Sequence, residues 1–190
     1  MDIVLIRHGE TEANRDGIFG TPQTRLTQKG LDQARLSARA AQDLGIDKVL
    51  VSPYKRALDT MACLGLEGEI EEDIREISLG IIEGYSYEDF YEEYKEEADS
   101  WTQDFINYRL DQGESVVDAY ARVEKVLDRL IEEDQDTILV CHEGVIRLAL
   151  STIFEDPNLF FRFKSDNLGF TRIRVEAGYK YIDFLNRIYY

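Results

Sequence analysis

Much that stabilises or equips other chains of 190 residues is missing here. There are two cysteines, Cys63 and Cys141, far apart and with no Cys-x-x-Cys pairing. That excludes a disulfide framework and reads as reduced, core-embedded thiols of a cytosolic protein. No apolar run approaches the roughly 18 residues of a membrane span, and no basic segment precedes a short apolar one. Neither a membrane helix nor a signal peptide is expected, and the cytoplasm is the expected location. Basic residues are outnumbered, 22 Lys and Arg against 38 Asp and Glu, for a net charge of -16 and a pI near 4.5. General nucleic-acid binding needs a basic face to displace counterions, so it is not expected. Any anion site must be a local island of a few arginines and helix ends in an acidic field. There is no Gly-x-x-x-x-Gly-Lys-Ser/Thr loop for nucleotides and no Gly-x-Ser-x-Gly for a serine triad. Histidine occurs only twice, without the sequence-close companions of a zinc or iron site.

What is present is organised around Asp2 to Thr11, DIVLIRHGET. Ile3 to Ile6 are apolar and mostly β-branched, which suits a strand buried on both faces of a sheet. Arg7 and His8 then fall at the strand's carboxyl end, the ligand-binding edge of open α/β sheets. Gly9 lets the chain turn tightly and approach a ligand. The second histidine repeats this context: apolar Ile138 to Cys141, then His142, Gly144 and a helix-like run. A strand end followed by a helix start offers free N–H groups and the positive end of a dipole, so the two imidazoles are expected to face one anion site.

The remaining elements follow in order. A helical turn and loop cover 10–25, a helix capped by Thr27 runs to Leu44, a strand spans 46–51, and a helix after Pro53 runs to about Leu64. Glu69 to Ile74 reads as a short edge strand, and 75–85 as a glycine-punctuated loop. The acidic, aromatic stretch 86–108 reads as one or two amphipathic helices, either a substrate-facing lid or a plain surface pair. Glu114 to Glu133 carries an apolar helical face, Asp136 to Cys141 a central strand, and Val145 to Phe154 a helix closed by Pro157. Runs at 170–175 and 179–185 flank Ala177-Gly178 as a β-hairpin. The alternation predicts one α/β domain over 1–190: a three-layer α/β/α sandwich, mainly parallel with one antiparallel strand, with 85–110 as a helical cap over the active site.

With the other chemistries excluded, phosphoryl transfer through a histidine nucleophile held by arginines remains. Leu5-Ile6-Arg7-His8-Gly9-Glu10-Thr11 with Asn14, Leu26-Thr27 and Gly30, Ser52-Pro53 with Arg56-Ala57 and Thr60 form an ordered set of motifs. Arg75-Glu76 with Glu83-Gly84, Gly113-Glu114-Ser115, and Cys141-His142 through Arg147 continue it. Together these resemble the histidine phosphatase superfamily, in its phosphoglycerate mutase-like branch, over nearly the whole chain. The resemblance implies that His8 becomes phosphorylated while Arg7, Arg56 and His142 hold the transferring oxygens, that Glu76 donates the proton, and that Asn14 adds a phosphate-pocket ligand. Glu83 matches a frequent Trp-Glu-Gly-type motif. It implies no metal or other cofactor, and a small phosphorylated metabolite as the partner.

Three positions depart from the family pattern. Glu143 stands where Gly is usual, and either points to solvent, pairs with Arg147 or raises the pKa of His142. Gln23 and Arg25 replace a typical Asp and Pro, leaving Arg25 free to read a second anionic group on the substrate. Ile82 stands where Trp is common. The stretch between Glu76 and His142 is short beside that of mutases, which must exclude water; a small cap favours hydrolysis. The expected activity is therefore a metal-independent phosphatase for a small phosphomonoester, such as α-ribazole phosphate or a sugar phosphate. A cofactor-dependent phosphoglycerate mutase and a non-catalytic phosphate-binding or scaffold protein are the alternatives. The carboxyl-terminal hairpin and Ile188 to Tyr190 suit either a homodimer interface or an edge covered within one monomer.

Overall fold

Alternation along β1 (Asp2–Arg7) divides the molecule into two cores. Ile3 and Leu5 pack on one face with residues of α6 (Val116–Glu133) and α7 (Glu143–Thr152). Val4 and Ile6 pack on the other, with α2 (Gln28–Gln42) and α3 (Lys55–Cys63). All four side chains are fully buried, as a strand with helices on both sides requires. The computed structural model describes all residues, 1–190. Its six strands lie in the order β3-β2-β4-β1-β5-β6, with β2 (Lys48–Val51), β3 (Glu69–Ile70), β4 (Thr137–Cys141), β5 (Phe170–Glu176) and β6 (Tyr179–Arg187). β5 runs against β1 and β6, and the other pairings are parallel. The three-layer sandwich with one antiparallel strand is the predicted one.

α1 (Glu12–Asp16) is a single capped turn in which Thr11 and Asn14 exchange capping bonds. Thr27 caps α2 by accepting from Gly30 N. The 86–108 stretch forms α4 (Tyr87–Glu93) and α5 (Lys95–Gln103), whose buried residues Phe90, Ala98 and Trp101 make a third, smaller core with Ile82 and Leu110. No helix is long and apolar enough to cross a membrane.

Local readings change in three places. The edge strand is only Glu69–Ile70, since Glu72–Ile74 tightens into a 3-10 turn capped by Glu71. Pro157 opens a further 3-10 segment, Pro157–Arg162, rather than only closing a helix; its missing N–H is harmless at that first position. Gly9 is needed for packing against the first turn of α2. A Cβ there would lie 2.5 Å from the Gly30 carbonyl oxygen, and one on Gly30 would lie 2.1 Å from that of Glu10. The tail folds back on its own chain: Tyr189 packs edge-on to Phe170, and the Tyr190 hydroxyl accepts from Gln33 Nε2 at 2.9 Å.

Candidate active site

β1 and β4 are parallel neighbours with Arg7 opposite Cys141, so His8 and His142 leave the sheet together at its carboxyl edge. His8 N donates to the Cys141 carbonyl, and the ring centroids are 5.2 Å apart. His8 is 4% exposed and His142 0%. Burial first, then the positive charge of Arg56, holds both pKa values well below 6.5, so both rings are neutral.

The tautomer of His8 follows from its partners. Nδ1 lies 2.7 Å from the Gly9 carbonyl, which can only accept, so Nδ1 carries the proton. Nε2 keeps its lone pair and accepts from Arg56 Nε at 3.2 Å. Arg56 is itself anchored by donating from Nη1 to the Thr21 carbonyl at 2.8 Å. His142 Nε2 meets Ser52 Oγ at 2.7 Å, and that oxygen accepts from Tyr54 N. Ser52 appears in the sequence only inside a motif. Its partner lies 90 residues away, so nothing local announces the bond.

Glu76 reaches the cleft from the loop after β3. Its carboxylate accepts from Ile77 N at 3.1 Å and Gly144 N at 3.3 Å, linking that loop to the amino end of α7. Gly144 leaves room for this arrangement, because a Cβ there would stand 2.4 Å from Glu76 Oε1 and the carboxylate would have to shift. Arg75 pairs instead with Asp73 and Glu114, each at 3.6 Å. The loop is tied down by Arg122, a buried arginine on α6 that the sequence reading passed over. It donates to the Asp73 carbonyl at 2.7 Å and the Glu76 carbonyl at 3.3 Å, and pairs with Glu114 at 2.6 Å. A charged residue within an apolar helical face is the signal that could have revealed it.

A cleft of about 340 Å³ gathers Arg7, His8, Asn14, Arg56, Glu76 and Glu143. Asn14 Oδ1 accepts from Thr11 N and Asn167 Nδ2, which turns its own amide donors elsewhere. The opposite walls are apolar, with Phe19, Phe105 and Phe160, none of them singled out in the sequence. The tyrosines and Trp101 of the 86–108 stretch are absent from the lining, so these side chains serve packing.

Two candidates lie apart from the cleft. Arg25 is exposed on the strand-like bridge pairing Thr11 with Leu26, where alternation sends Leu26 inward and Arg25 out. Glu83 closes its own turn, accepting from Ser78 Oγ and Leu79 N at 3.2 Å each, so it shapes the loop and does not line the cleft. Glu143 pairs with Arg147, as one reading had it, and also with Arg7 at 2.8 Å. It does not raise the pKa of His142, which is lowered because burial and nearby guanidiniums dominate.

A model of the histidine phosphatase superfamily (branch 1) matches residues 3–188. The human 6-phosphofructo-2-kinase/fructose-2,6-bisphosphatase 1 is 36% identical over 151 residues, 78% of this chain. The chain covers only 32% of that relative, about a third of its length. A Hydrogenobacter thermophilus protein carrying phosphoserine phosphatase 2 as a provisional name is 30% identical over 98% of this chain and 95% of its own. Among solved structures, the alpha-ribazole phosphatase from Shigella flexneri has a TM-score of 0.92 and 28% identity, over 98% of this chain and 96% of its own.

Proposed function

The chain belongs to the histidine phosphatase superfamily, branch 1, and we propose that it is a phosphoric monoester hydrolase acting without metal on a small phosphorylated metabolite through a phosphohistidine at His8. The observation that carries this reading is the state of His8: neutral, protonated at Nδ1, with the Nε2 lone pair facing Arg56 in a cleft that also holds Glu76. A neutral imidazole with its second nitrogen held is ready to attack phosphorus.

In the first step the arriving phosphoryl oxygens take the Arg56 N–H from His8, and the freed Nε2 lone pair forms the N–P bond as the P–O bond to the leaving group breaks. Glu76 is the group that gives a proton to the departing alkoxide. Arg7 and Arg56 take charge on the phosphoryl oxygens, the positioning and electrostatic work that phosphoryl transfer chiefly needs. Asn14 lines the same cleft, whereas His142 is fully buried outside the lining, with Nε2 on Ser52 and its ring against that of His8. In the second step Glu76, now a carboxylate, takes a proton from water as its oxygen attacks phosphorus, freeing His8 and phosphate. Residues 85–110 act as the cap, meeting the cleft through Phe105 and through Phe19 and Leu79, which pack against the cap core. A leaving group with an apolar or flat face suits those walls; α-ribazole phosphate and sugar phosphates are the candidates, the former supported by the Shigella flexneri likeness.

The test is phosphate release from p-nitrophenyl phosphate and a panel of phosphorylated metabolites in excess EDTA. Wild type should turn over, and His8→Ala should lose about 10³-fold or more. Full turnover by His8→Ala would overturn the phosphohistidine reading. Interconversion of phosphoglycerates without phosphate release would instead make the chain a mutase.

A further inference from the structure

The cleft contains a carboxylate that the proposed chemistry does not use. Glu143 opens α7 and lies between two guanidiniums: Oε2 is 2.8 Å from Arg7 Nη1, and Oε1 pairs with Arg147 Nη2. All three side chains line the cleft with His8 and Arg56, and Glu143 is 26% exposed. Arg147 lies over the Phe160 and Phe161 rings, at 5.3 and 5.8 Å from their centroids. Its Nε is buried without a hydrogen-bond partner. Arg147 is therefore a second cation on the wall of the cleft, able to take an anion if left free. Glu143 occupies it.

We propose that Glu143 selects substrates by charge: by engaging Arg7 and Arg147 together, it denies the leaving-group side of the cleft to a second anionic group and favours phosphomonoesters of uncharged alcohols. When a phosphoryl group arrives, its oxygens replace Glu143 at Arg7, and the carboxylate remains on Arg147 as a neutral pair. A carboxylate or second phosphate on the leaving group would then face Glu143 with no cation to receive it. At the few ångströms involved, one such like-charge contact in a partly solvated site changes relative affinity by about tenfold. This inference rests on the reading that Arg7 receives the phosphoryl oxygens.

The test compares two near-isosteric esters, glycerol 3-phosphate with a neutral diol and 3-phosphoglycerate with a carboxylate. The wild-type protein should favour the first in kcat/KM. Glu143→Gln keeps the shape and removes the charge, and should shift the ratio about tenfold toward 3-phosphoglycerate. Glu143→Asp, which keeps the charge, should retain the wild-type preference, and Glu143→Gln with Arg147→Met should lose the gain because the freed cation is gone. Calorimetric titration of the same two compounds and of inorganic phosphate reads the effect without turnover, so it separates failure of this inference from failure of the phosphatase reading. The inference is overturned if Glu143→Gln leaves both the kinetic ratio and the binding ratio unchanged, or if wild type already prefers 3-phosphoglycerate.

Discussion

The strand-end cradle and the segment 85–110 border one cleft but are held by different means. The cradle stands on β1 and β4, whose apolar residues are buried on both faces, and its polar atoms are tied to backbone: His8 to Gly9, Arg56 to Thr21, Glu76 to Ile77 and Gly144. The segment, proposed above as a cap, rests on a small cluster, Ile82, Phe90, Ala98, Trp101 and Leu110, bridging helices of 7 and 9 residues. Isolated helices of fewer than about 12 residues do not hold in water, so aromatic packing must keep them folded. Phe90 stacks on Tyr94 at 5.5 Å and Trp101 meets Phe105 at 4.9 Å. Groups that do bond-making chemistry need the stiff element, whereas a wall that admits substrate can come from the low-stability end of the structure.

The largest break in this comparison should come from one methyl group in the cradle. Gly144→Ala places a carbon 2.4 Å from Glu76 Oε1 and pushes that carboxylate off its two N–H donors. A displacement of about an ångström at a reacting group costs on the order of 10²-fold in kcat. Circular dichroism and Tm should stay close to wild type, and wild-type turnover in Gly144→Ala would show that Glu76 is not held by this contact.

Trp101→Ala should act oppositely. It removes a large side chain from the cap core and costs that core about 3–5 kcal/mol. Hydrogen exchange should then show lost protection over residues 87–103 while β1 and β4 stay protected. Turnover of p-nitrophenyl phosphate should change by less than about threefold, since the cradle is untouched. Uniform loss of protection would mean that cap and cradle unfold as one unit.

The smallest effect is the most diagnostic of the cradle. His8 and His142 have pKa values below 6.5 in the folded chain, while an exposed imidazole takes its proton near 6.5. Below that pH the unfolded state binds more protons, so stability is full above 6.5 and falls as the pH drops toward the folded values. Tm measured from pH 7.5 to 5 should decline, and His142→Gln should show a shallower decline. Equal slopes in both proteins would mean that His142 is not buried neutral.

Periodicity alone revealed the layers: Ile3 to Ile6 could satisfy two helical faces only as a central strand, and the helical spacing after Thr27 and Glu114 located the flanking helices. The ordered motifs delivered His8, Arg7, Arg56, Glu76 and Asn14 to one cleft. Arg25 went elsewhere because it alternates with buried Leu26 on a bridge to Thr11 that only folding forms, and Glu83 because a loop residue carries no period to say which way its side chain turns. Arg122 and Ser52 went unassigned, because each bonds to a partner distant in sequence. The sequence by itself thus determined the architecture and which motif residues meet in the cleft, since hydrophobic alternation and motif order are local properties of the chain. Only the tertiary structure decided the bond from Arg56 to His8 Nε2, the seating of Glu76 on Gly144 and the capture of Arg7 by Glu143. Each depends on distances of about 3 Å between segments that only the closed sheet brings together.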